Sequence, residues 1–114
     1  MLERDVVATV RAYVRRASGW EIKVLGGLGQ RAGVPDVLCC IAGRFVAVEC
    51  KIAPRKPTAN QRAELAAIAV AGGVAIVAYS LEDVIAAVEP LLAVSGRPWQ
   101  PKLMTEGVDD AEPG

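Results

Sequence analysis

The sequence predicts an α/β fold, a mixed sheet with helices packed on it, whose elements follow the order αβββαβα. Three observations carry this. Residues 2–17 repeat apolar side chains with a helical period. Residues 36–52 hold two β-favouring runs around a short turn. Thr58 to Gln61 opens a second helix, which Gly72-Gly73 closes ahead of an apolar run.

In the first segment Leu2, Val6, Val7, Val10, Tyr13, Val14 and Ala17 form one stripe with arginines opposite, and Ser18-Gly19 ends the helix. Trp20, Ile22 and Val24 alternate with Glu21, Lys23 and Leu25, the pattern of a half-buried strand. The glycine-rich stretch Gly26 to Gly33 has neither a dinucleotide fingerprint nor a Gly-Lys-Ser/Thr ending, so it does not support a nucleotide-phosphate cradle. Asp36 to Ile41 and Phe45 to Ile52 read as strands joined through Ala42-Gly43-Arg44. Pro54 and Pro57 interrupt any continuation. Thr58 and Gln61 have the spacing of a capping box. Val74 to Tyr79 reads as a buried strand, and Ser80 begins a last helix to about Leu92. Beyond Ser95 the composition of proline, glycine and acid predicts a tail.

One domain accounts for 114 residues, and 53% apolar content against 4% aromatic predicts an Ala/Val/Leu/Ile core with little base stacking. The uncharged stretch Leu65 to Leu81 is short for a membrane span and is broken by Gly72-Gly73, and no secretory leader is visible. Cys39, Cys40 and Cys50 lie in strand-like runs, with no Cys-x-x-Cys spacing and no histidine in the chain. Structural zinc and a disulfide framework are poor readings, and a reducing cytoplasm fits. The zero net charge hides an asymmetry: residues 1–103 carry 13 basic and 9 acidic side chains, while the last eleven hold four acids and no base. Clusters such as Arg55, Lys56 and Arg62 fit phosphate-binding patches, and they equally fit a solvated surface.

Chemistry concentrates at the hairpin. A period of two puts Phe45, Ala47, Glu49 and Lys51 on one face of the strand. Asp36 lies seven residues before Gly43 and Lys51 eight after it, so the hairpin brings Asp36 near Glu49 to Lys51. Two carboxylates at one point repel unless a cation joins them, and oxygen ligands without His or Cys thiolate select a hard ion such as Mg²⁺ or Mn²⁺. Such an ion activates water and stabilises a phosphate's developing charge, with Lys51 beside it. The competing reading is a surface Glu49–Lys51 pair worth ~0–1 kcal/mol. Glu3 lies on the apolar stripe of the first helix, where a carboxylate needs a partner. It also suits an exposed first turn, where acids complement the helix dipole.

From Glu3 to about Val84 the chain resembles the VRR nuclease (VRR-NUC) family, a branch of the PD-(D/E)XK phosphodiesterases similar to Holliday-junction resolvases. The resemblance is carried by Glu3, Gly33-Val34-Pro35-Asp36, Val48-Glu49-Cys50-Lys51 and Thr58-Ala59-Asn60-Gln61, with Tyr79-Ser80-Leu81-Glu82-Asp83-Val84 closing it.

The resemblance implies a restriction-endonuclease-like αβββαβ core, placed in a nuclease domain over residues 1–94, while composition makes 95–114 an acidic tail. It implies that Asp36, Glu49 and the Cys50 carbonyl hold Mg²⁺ or Mn²⁺, that Lys51 is the catalytic lysine, and that Glu3 and Gln61 support them. Arg31, Arg55, Lys56 and Arg62 are the expected DNA contacts. Only Gln30-Arg31 precede the Gly-Val-Pro-Asp motif, where the family often has a more basic loop. The implied activity is a metal-dependent endonuclease on branched DNA, acting as a homodimer because two strands of a symmetric junction need two sites. An inactive DNA-binding module of the same fold and an α/β partner-binding protein are the alternatives. Residues 81–94 fit either a dimer interface or core.

Overall fold

The computed structural model describes residues 1–27 and 29–94. The elements are α1 (Glu3–Arg16), β1 (Trp20–Lys23), β2 (Val37–Ile41), β3 (Arg44–Cys50), α2 (Ala59–Val70), β4 (Val74–Ala78) and α3 (Leu81–Val94). The order is the expected one. The expected tail, 95–114, lies outside the described residues.

The four strands lie in the order β1-β2-β3-β4. β1, β2 and β3 pair antiparallel, and α2 returns the chain so that β4 joins β3 in parallel. That last step is a crossover unit, which a parallel pair requires. The β2–β3 turn is tighter than the expected three residues. Ile41 pairs with Arg44, leaving Ala42 (φ 50°) and Gly43 (φ 81°) as a two-residue turn. Positive φ at both positions matches the right-handed twist of the strands, and Gly43 supplies one of them without strain.

α1 and α3 cover one face of the sheet. Val6, Val10 and Val14 of α1 and Val84 and Val88 of α3 meet Val37, Cys39 and Ile41 of β2, Val46, Val48 and Cys50 of β3, and Ile76 and Ala78 of β4. α3 thus contributes one of its sides to the core. α2 packs on the opposite face, over β3 and β4. Its cap forms as the spacing predicts, with Gln61 N–H donating to Thr58 Oγ1 at 3.2 Å and Thr58 N–H to Gln61 Oε1 at 2.9 Å.

β1 forms where the alternation predicts, but its buried side is the charged one. The Glu21 side chain is only 5% exposed and accepts from Arg11 Nε at 2.6 Å and Arg15 Nη1 at 2.7 Å. Trp20 and Ile22 point to the other face and are 59% and 42% exposed. The cause is α1, whose arginines reach the edge strand and give a carboxylate there two partners.

Candidate active site

Asp36 leads into β2, and the Val37–Val48 pairing sets it across from Glu49. Its Oδ2 accepts the Cys50 backbone N–H at 2.9 Å, which fixes the carboxylate over the C-terminal end of β3. The loop before it is clamped on α2. Gly33 adopts φ 90°, and a Cβ there would lie 2.5 Å from the Asn60 backbone, so only glycine lets the loop approach so closely. Arg31 grips Glu64 from the same loop through Nε at 2.8 Å and Nη2 at 3.0 Å.

Glu49 projects to the α2 face of β3 and is 2% exposed. Lys51, two residues on, shares that face, with Nζ 3.7 Å from Glu49 Oε2. The other oxygen, Oε1, is buried and accepts no hydrogen bond. Burial, reinforced by the charge of Asp36 and only partly offset by Lys51, pushes the Glu49 carboxyl up to about 7. Burial likewise raises the Cys50 thiol to about 12, so it stays protonated. Any contribution of Cys50 to an ion therefore comes from its carbonyl, not its sulfur.

Glu3, on the first turn of α1, is 33% exposed at its side chain, and its Oε2 faces Arg55 Nη1 at 3.4 Å. Its charge adds a smaller part to the upward push on Glu49. Tyr79 Oη donates to the Arg55 carbonyl at 2.9 Å, pinning the segment that carries Arg55. Of the four expected DNA-contact residues, Arg31 is paired with Glu64 and Arg55 faces Glu3. Arg62 Nη1 donates to the Pro57 carbonyl at 2.8 Å, and Lys56 is exposed. The partners Glu64 and Tyr79 escape sequence reasoning, because nothing local marks them. Gln61 serves the helix cap, with its amide oxygen on Thr58 N–H.

An open cleft of about 220 Å³, lined by Gly26, Gly27, Gln30, Arg31, Gly33 and Asp36 among others, leads to the Asp36 carboxylate. Among the described residues no three Asp, Glu or Cys side chains gather into a cage. The geometry instead offers two carboxylates, one with an unsatisfied buried oxygen. That fits Mg²⁺, which binds through one or two carboxylates and completes its shell with water and phosphate. An orphaned anionic oxygen is costly in itself, and a cation is the partner that removes the cost.

No protein-family model matches the chain, and no curated protein matches it in sequence. Solved structures do. A VRR_NUC domain superposes with a TM-score of 0.65 at 27% identity, covering 76% of this chain and 94% of that one. The chain is VRR_NUC-like. A second VRR_NUC domain protein gives a TM-score of 0.63 at 21% identity, over 78% of this chain and 86% of that one. Hjc of Archaeoglobus fulgidus, a Holliday junction resolvase, gives a TM-score of 0.51 at 18% identity over 65% of this chain and 64% of that one. These last two are likenesses of fold. The first structure bears out the VRR_NUC resemblance, and the sheet of four strands with three helices is the expected restriction-endonuclease-like α/β architecture.

Proposed function

We propose that this protein is a divalent-metal-dependent DNA endonuclease that acts on branched DNA, with four-way junctions as the favoured substrate. One observation carries the reading: a nearly fully buried glutamate keeps an unpartnered oxygen beside a second carboxylate and a lysine. A structural ion pair favours satisfying both oxygens, since a buried charge without a partner is destabilising, so the open oxygen supports a cation beside it. The likeness to a VRR_NUC domain and to Hjc, a Holliday junction resolvase, supports the substrate class.

In this reading Asp36, Glu49 and the Cys50 carbonyl would hold Mg²⁺ or Mn²⁺, which when bound would supply an activated water and charge neutralisation at the phosphate. Lys51 brings a positive charge, restrained by Glu49, to the point where the phosphate gains negative charge. Glu3 holds Arg55 at the rim, Gln61 fixes the start of α2, and Lys56, Arg55 and Arg62 approach the DNA backbone. Contacts of that kind read backbone and shape, not sequence. Two cuts in a symmetric junction require a two-fold homodimer. No helix among the described residues is long and apolar enough to cross a membrane.

The test is cleavage of labelled linear, nicked, flap and four-way substrates with Mg²⁺ and with Mn²⁺. Wild type should cut the branched forms best. Asp36→Ala and Lys51→Ala should lose at least about a hundredfold in rate while still binding the junction in Ca²⁺. Undiminished cutting by either variant would remove the assignment. Binding without cutting by wild type in both metals would instead favour the inactive DNA-binding module.

A further inference from the structure

The Arg31 side chain is 77% exposed, yet its direction is fixed. Nε lies 2.8 Å from Glu64 Oε2 and Nη2 lies 3.0 Å from Glu64 Oε1, so a planar guanidinium meets a carboxylate through two bonds at once. That fork uses one edge of the group. Both hydrogens of Nη1 and the second hydrogen of Nη2 are left over for another acceptor. Arg31 also lines the cleft of about 220 Å³ that Gly26, Gly27, Gln30, Gly33 and Asp36 help to enclose. A directed cation and a carboxylate of the proposed metal site therefore share the walls of one cleft.

Glu64 stands out on α2. Between Ala63 and Val70 it is the one charged residue, and its side chain is only 17% exposed. Stability does not account for it, because an ion pair with one partner this open to water contributes little. Nor does the loop depend on it for its place on α2. Gly33 already packs so tightly that a Cβ there would lie 2.5 Å from the Asn60 backbone. What Glu64 changes is Arg31 itself, a long side chain that loses its rotamer freedom before any ligand arrives.

We propose that Glu64 is a positioning residue, which aims the free edge of Arg31 at a backbone phosphate next to the one placed at Asp36 and Glu49. The inference rests on the nuclease reading and deepens it with a residue outside the motifs that carry the family resemblance. Glu64 itself stays off the DNA, its charge turned toward Arg31. The fork is specific to arginine, since a lysine ammonium carries the charge without the two-bond geometry.

The plain alternative is a surface pair in which Glu64 masks Arg31 from DNA. The two arrangements predict opposite signs. If Glu64 masks Arg31, removing it adds positive charge and tightens binding at an unchanged rate. If Glu64 aims Arg31, removing it loosens binding in spite of the added charge, and slows the bound complex as well.

The experiment uses the full chain and a labelled four-way junction, with affinity measured in Ca²⁺ over a range of salt and the saturated single-turnover rate in Mn²⁺. Arg31→Ala should weaken binding and reduce the slope of log affinity against log salt by about one, the mark of one lost phosphate contact. Glu64→Ala should weaken binding about threefold and slow the saturated rate about tenfold, while the Mn²⁺-induced thermal shift and the far-ultraviolet circular dichroism stay those of wild type. Arg31→Lys should slow the rate like Glu64→Ala while keeping the wild-type salt slope. In Arg31→Ala, adding Glu64→Ala should have no further effect, which a purely structural contribution of Glu64 could not produce.

Tighter binding by Glu64→Ala, or an equal loss from Glu64→Ala with and without Arg31, would overturn the proposal. So would loss of the Mn²⁺ shift in Glu64→Ala, which would place its effect on Asp36. Cutting that needs Asp36 but is indifferent to Arg31→Ala and Glu64→Ala sinks this inference alone. A wild type that binds the junction without cutting, yet shows the expected affinities across the variants, sinks the nuclease reading and keeps Glu64 as the residue that aims Arg31.

Discussion

At the scale of single residues, Glu49 is where folding and function pull in opposite directions. Its carboxylate is buried, lies across the strand pair from Asp36, and leaves Oε1 without a donor. An amide has nearly the same shape and no charge to desolvate. Glu49→Gln should therefore raise the metal-free protein's stability by about 1–2 kcal/mol in urea unfolding while abolishing cleavage. A variant less stable than wild type would mean that Lys51 compensates the charge fully. The two acids and the lysine are legible in the sequence, because strand alternation and a hairpin need only counting: residues 49 and 51 share a face, and 36 falls opposite 49. The partners of the arginines are not. Arg31 meets Glu64 33 residues away, and Arg55 meets Glu3 across 52. Such pairs exist only once the helices have docked, so three of the expected phosphate contacts are occupied by carboxylates or a carbonyl.

At the scale of elements, β1 shows why periodicity identifies a strand better than it identifies the strand's inner side. Alternation marks the strand, but the apolar half of it faces outward and Glu21 faces α1. The Arg11 guanidinium, with Arg15 beside it, holds the Glu21 carboxyl below its ordinary value against the opposing effect of burial. A carboxyl depressed in the folded state contributes stability that is present above its unfolded value of about 4.5 and is lost as pH falls through the folded value. Acid unfolding of wild type below about pH 4.5 should therefore be steeper than that of Glu21→Gln, with the two converging at the lowest pH reached. Parallel curves would assign the acid sensitivity elsewhere. The β2–β3 turn is legible in place but not in type. Ala42 at φ 50° takes the left-handed conformation at a cost of about 1 kcal/mol, where an asparagine suits this turn. Ala42→Asn should stabilise the protein by about 0.5–1 kcal/mol in the same urea assay without altering cleavage, since the turn lies at the far end of the hairpin from Asp36.

At the scale of the whole molecule, the order αβββαβα is readable because each element has its own local signal. Which sheet face stays bare is not, since it depends on where α2 comes to rest over β3 and β4. The site has the same non-local character. Asp36 arrives on a loop clamped to α2, Glu49 on the middle of the sheet, and Glu3 on α1, so an ion held there ties together parts that unfold as one. A ligand that binds only the folded chain stabilises it by about 2.7 kcal/mol when present at a hundredfold excess over its dissociation constant. Mn²⁺ should accordingly raise the thermal midpoint of wild type in a concentration-dependent way and leave Asp36→Ala unmoved, with no DNA required. Lys51→Ala separates binding from chemistry: its midpoint should rise at least as far as wild type's, because removing a cation beside Glu49 favours another cation, while its cleavage is lost. If Mn²⁺ shifted Asp36→Ala as much as wild type, the ion would be bound elsewhere on the chain, and the buried oxygen of Glu49 would still lack a partner.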